Sequence, residues 1–134
     1  MDYRKMVAAG VAATALALGS TLLIPGVASA AAYNGVCGSG YGVVNHRDVS
    51  GGTVYLTYSG GTGKNCVVTV RNSPGAKLSM GAWLKKSSDS AWQQDVGDYG
   101  TYAGPVYRSA TGECVDWGGG ISGSDVTVYR TNCG

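Results

Sequence analysis

Nucleophilic catalysis needs a Ser or Cys, a base and an orienting carboxylate that converge. The chain offers one imidazole, His46, with Asp48 two residues away. Residues two apart share a face of a strand, so alternation alone sets many such pairs side by side, and a surface pair is the expected role here. Glycoside hydrolysis needs two carboxylates a set distance apart, one with its pKa raised by burial. Asp95 with Asp98, and Glu113 with Asp116, are the pairs at hand. They sit among polar turn residues at strand ends, where solvated carboxylates are ordinary, so no catalytic residue is assigned and a non-enzymatic protein is expected.

Two glycine-rich stretches fail as nucleotide motifs. In "GGTGKN" a phosphate loop wants glycine where Tyr58 stands and Ser or Thr where Asn65 stands, and the stretch joins two strands rather than a strand and a helix. "GSGYGV" begins like a dinucleotide fingerprint but ends on Val43. Zinc prefers paired Cys-x-x-Cys spacing or His partners, whereas the four cysteines are scattered, so no metal and no cofactor are expected. Lys85 and Lys86 form only a doublet, and no nucleic-acid partner is expected.

Aromatic residues leave one binding chemistry open. The chain has nine Tyr, three Trp and no Phe, a supply suited to half-wet sheet faces. Exposed rings stack on sugars, and Trp83 alternates away from Leu78, Met80 and Leu84, so Trp83, Trp92 and Trp117 are the candidate surface-binding residues. The competing role is to plug the ends of a sandwich with the indole N–H bonded inward. The stretch "CVDWGGGISGSDVTVYRTNC", Cys114 to Cys133, reads as a stapled structural segment. Its glycines give freedom that a disulfide removes, and its second half alternates as a closing strand.

These groups must be positioned by a small exported body. Arg4 and Lys5 precede an apolar run that Pro25 and Gly26 break, and "ASA" (Ala28, Ser29, Ala30) supplies a small-residue cleavage site. Residues 1–30 are therefore expected to be a signal peptide cut after Ala30, with an uncleaved membrane anchor as the alternative. No membrane association is expected after its removal. Residues 31–134, about 100 in all, suffice for one domain near the lower limit of a self-sufficient core.

An even cysteine count in such a chain favours two disulfides. Sequence allows three pairings, of which Cys37–Cys66 and Cys114–Cys133 are simplest for sequential hairpins. Helical periodicity is absent, and alternation recurs in "TVYLTYS", "NCVVTVRN", "KLSMGAWLKK" and "DVTVYRT". "GGTGK" supplies a hairpin loop and "NSPG" a turn, while "AWQQDVG", "YGTYAG", "PVYRS", "ECVDW" and "YGVVNHR" read as short extended pieces. The expected fold is all-β, a single-domain antiparallel β-sandwich or squat barrel of seven or eight short strands.

The phrases "AAYNGVCGSGY", "GKNCVVTVRN", "TYAGPVY", "CVDWGG" and the terminal "NCG" resemble the spore-associated protein A family of sporulating filamentous actinobacteria. The resemblance implies a small secreted protein at the spore surface or cell wall of aerial hyphae, with no catalytic residue to transfer. Three roles follow as expectations: a non-enzymatic spore-surface protein, a module that binds a cell-wall or spore-coat polysaccharide, and an inhibitor of a secreted hydrolase presenting "GGTGK" or "SPGAK" as a rigid loop.

Overall fold

Apolar residues at every second position build two stacked antiparallel sheets. The computed structural model describes residues 31–134; the expected signal peptide lies outside the described residues. The strands are β1 (Tyr41–Val49), β2 (Gly52–Ser59), β3 (Lys64–Arg71), β4 (Leu78–Lys86), β5 (Gln93–Tyr99), β6 (Tyr102–Ser109), β7 (Val115–Ile121) and β8 (Ser124–Thr131). The first sheet has the order β1-β2-β3-β6 and the second β5-β4-β7-β8. The all-β expectation holds, and the two separate sheets make it a sandwich rather than a barrel.

Between the sheets lies the main core, with Val54, Leu56 and Val67 from the first sheet facing Met80, Ala82, Leu84, Val115, Trp117 and Ile121 from the second. The sheets approach so closely at Gly119 that a Cβ there would fall 2.0 Å from Thr69 Oγ1 and 2.7 Å from the Gly81 carbonyl oxygen. That space lets the buried Thr69 hydroxyl donate to Gly81 O at 2.8 Å, a polar tie across the core. A bidentate ion pair links the sheets at one edge. Arg108 on β6 donates through Nε to Asp89 Oδ2 at 2.8 Å and through a terminal nitrogen to Oδ1 at 3.0 Å.

The central strands of the first sheet, β2 and β3, are also covered on their outer face. Thr53, Tyr55, Thr57, Cys66, Val68 and Val70 would face solvent in a simple sandwich, yet all are buried. Residues 31–40, which form no strand, lie over them as a strap. Tyr55 Oη donates to Ala31 O, Tyr107 Oη donates to Cys37 O at 2.8 Å, and the Cys37 N–H donates to Tyr33 Oη at 3.3 Å. Tyr33 packs on Tyr55 and Tyr41 on Tyr107, each with ring centroids 5.7 Å apart. Burial, then the neighbouring Tyr41 and Tyr33, push the Tyr107 phenol above its ordinary pKa.

Both expected disulfides are present. Cys37–Cys66 pins the strap to β3, and Cys114–Cys133 ties the start of β7 to the chain beyond β8.

Two extended pieces run on further than expected. "ECVDW" continues through the glycines of "WGGGI" as β7, and the turn falls at Ser122 and Gly123. "YAG" and "PVYRS" form one strand, β6, with an irregularity opposite Val68.

Replacing Cys37 and Cys66 by Ser is expected to lower the thermal midpoint by more than about 10 °C. Closing a loop of that length contributes about 3–4 kcal/mol on the chain-entropy model, and 1 kcal/mol moves a domain of this size by about 4–8 °C. A midpoint equal to that of the native protein would show that apolar contact alone holds the strap. The Arg108 guanidinium hydrogen-bonded to Asp89 lowers that carboxyl from 3.8 to about 2. A depressed carboxylate stabilises the fold above its unfolded pKa and loses that contribution as pH falls through the folded one. Asp89→Asn should therefore weaken the protein at neutral pH and flatten the fall in stability between 3.8 and about 2, as read by acid titration of circular dichroism.

Candidate functional site

The strap covers the outer rows of β2 and β3, whereas no segment among the described residues covers the outer face of the second sheet. Alternation places Gly81, Trp83 and Lys85 of β4 there, with Gln94 and Val96 of β5, Gly118 and Gly120 of β7, and Asp125, Thr127 and Tyr129 of β8. Val96 is 60% exposed and Tyr129 63%, so both stand as unpartnered apolar surface.

Trp83 lies flat on this face. A Cβ at Gly81 would fall 2.8 Å from its Cζ3, and one at Gly118 would fall 2.5 Å from its Nε1. The indole thus spans two neighbouring strands that carry no side chain beneath it. Its N–H donates to Thr127 Oγ1 at 3.0 Å on the next strand, which fixes the ring's rotation. A flat, half-buried ring keeps one π-face toward solvent at little entropic cost, which suits stacking on the C–H face of a sugar. Gln94, Asp98 and Asp125 are exposed on the same face, and these amide and carboxylate groups can meet hydroxyls.

At one end the face turns polar. Lys85 Nζ lies 5.2 Å from the centroid of the Trp92 ring, 3.3 Å from Asp116 Oδ2, and donates to Asp89 O at 3.0 Å. Asp116 is buried, which raises its carboxyl. Hydrogen bonds from Ser87 Oγ at 2.6 Å, the Arg130 N–H at 2.9 Å and Lys85 outweigh that cost and hold it below the ordinary carboxylate value. This ionised carboxylate is consumed by structure. It seats the irregular turn of β8 at Arg130, where φ is +54°.

The candidate Trp residues therefore separate. Trp83 is on the open face, and Trp92 is half-buried beside it under Lys85. Trp117 is a correction: it is fully buried in the main core with its Nε1 donating to Thr131 Oγ1 at 2.9 Å, so it cannot meet a surface ligand. It shares strand parity with Val115 and Ile121, and that apolar company was the signal for an inward ring.

The carboxylate pairs do not assemble. Asp95 accepts from the Gly104 N–H at 2.8 Å and from Tyr99 Oη, while Asp98 sits on the opposite strand face. Glu113 pairs with Lys86 at 3.2 Å, away from the bonds that hold Asp116. His46 packs on Tyr55 with centroids 5.9 Å apart, and Asp48 accepts from Thr53 Oγ1 at 3.1 Å rather than from the imidazole. The glycine floor under Trp83 was not foreseen.

Gly81→Ala tests that floor. The added methyl meets Trp83 at 2.8 Å and Val96 Cγ2 at 3.2 Å, so the ring must lift. The expected result is a shift in tryptophan fluorescence toward solvent with the far-ultraviolet circular dichroism retained; an unmoved emission maximum would contradict the flat seating.

No family model and no solved structure matches the chain. It is 50% identical to Spore-associated protein A of Streptomyces coelicolor over an alignment of 138 positions, covering 96% of this chain and 90% of that protein. With identity at that level across nearly the full length of both, the chain belongs to the spore-associated protein A family.

Proposed function

We propose that the protein is exported, processed after Ala30, and retained at the spore surface or cell wall as a non-enzymatic component. Its attachment is to a wall polysaccharide through the open face of the second sheet. One observation carries this reading: Trp83 is held flat over Gly81 and Gly118 by its bond to Thr127, while the strap covers the centre of the other broad face. The relative's printed association with spores supports the location, and the signal-like residues 1–30 support export.

A non-catalytic role agrees with the use of Asp95, Asp116 and Glu113 in structural hydrogen bonds and ion pairs. The loops Gly60–Lys64 and Ser73–Lys77, offered above as inhibitor loops, have no observation that favours them over this face.

Retention of the folded protein on purified cell wall and on spores measures the reading. Trp83→Ala is expected to release about tenfold more protein, the loss that about 1.4 kcal/mol of stacking and apolar contact represents. Trp92→Ala, beside the face, serves as the matched control and should stay bound. Equal retention of a folded Trp83→Ala variant would remove the attachment face, and mature protein found only in free medium would remove the location.

A further inference from the structure

The inward faces of β2 and β3 continue past the last core side chain. Tyr58 and Asn65, partners in the register of this hairpin, extend the rows of Leu56 and Val67 toward one end of the sandwich. There, with Val44, Ala110, Thr111 and Asn132, they line a cavity of about 370 Å³. That volume falls in the range of small-molecule sites.

The cavity is apolar but for a few placed groups. Asn65 is 2% exposed, and its Nδ2 donates to Thr57 O at 3.0 Å. A carbonyl only accepts, so this bond fixes which way the amide points. Its Oδ1 and its second Nδ2 hydrogen have no partner among the described residues. A buried amide edge in that state is costly until something both donates and accepts beside it. A hydroxyl does both.

The walls agree with such a group. Val44 is 45% exposed at the rim and Tyr58 offers a ring, surfaces that match the C–H side of a sugar. Tyr58 carries the one ionisable side chain of the lining, and Gly112 and Gly134 complete it with main chain. Its roof is fastened. Asn45 Nδ2 donates to Asn132 Oδ1 at 3.3 Å, Asn132 Nδ2 reaches Val44 O at 3.5 Å, and the adjoining Cys133 is bridged to Cys114.

We propose that this cavity binds a single pyranose residue of a glycan, with a ring hydroxyl on the Asn65 amide and the sugar's apolar side against Tyr58 and Val44. It lies at the end of the sandwich, apart from Trp83, and does not depend on the attachment reading.

Titration of the isotope-labelled, oxidised protein with glucose and with N-acetylglucosamine, followed by nuclear magnetic resonance, tests it. Saturable shifts are expected at the Asn65 side-chain amide and at the Val44, Ala110 and Thr111 backbone. Tyr58→Leu should weaken the affinity at least tenfold, and Trp83→Ala should leave it unchanged. Asn65→Leu should abolish binding; if that variant fails to fold, Tyr58→Leu decides. Loss of the Cys114–Cys133 bridge should weaken binding by loosening the roof. Absence of shifts at saturating sugar, or shifts confined to the Trp83 face, would overturn the proposal, and the second outcome would leave the attachment reading standing.

Discussion

A sheet that must bury both of its faces organises this molecule. β2 and β3 carry Val54, Leu56 and Val67 toward the second sheet and Tyr55, Cys66, Val68 and Val70 away from it. The outward set is too apolar to leave wet, and among the described residues no third sheet covers it. The chain covers it with a segment that has no regular structure of its own, held by tyrosine hydroxyls on its backbone and by one disulfide. The bridge limits how far the strap can leave, so modest apolar contact suffices to keep it closed.

The consequence is asymmetry. With the outer rows of β2 and β3 covered, the second sheet keeps an unobstructed face, and that face is paved for an aromatic ring. Gly81 and Gly118 have no side chains beneath Trp83, and Thr127 stops the ring from turning. An aromatic group locked before its ligand arrives loses little conformational freedom on binding. Cover and platform are two sides of one arrangement, because a β domain of about 100 residues has little spare surface to hide.

Much of this was legible in the residue order, and the rest was hidden for physical reasons. Strand parity placed Leu78, Met80 and Leu84 opposite Trp83, and the structure keeps that division. The same parity, applied to Val115, Trp117 and Ile121, would have put Trp117 inside. Thr53, Tyr55 and Thr57 alternate with Val54 and Leu56 as a polar-tipped row; their burial comes from "AAYNGVCGSG", which has no periodicity to announce what it covers. The three glycines after Trp117 read as flexible because isolated glycine favours turns. They are in a strand because Thr69 on one side and Trp83 on the other need the space. Asn65 stood out only as the residue that spoils a phosphate loop, since only tertiary burial turns an ordinary hairpin residue into an amide that lacks a partner.

Hydroxyl-radical footprinting of the native, oxidised protein, read residue by residue by mass spectrometry, tests the asymmetry most directly. Val96, Tyr129 and Trp83 should be modified much faster than Tyr55, Val68, Val70 and Trp117, and added wall polysaccharide should suppress the first group alone. Equal reactivity of Val68 and Val70 with Val96 would mean that the strap does not cover the first sheet, and the account of which face is left for function would fail with it.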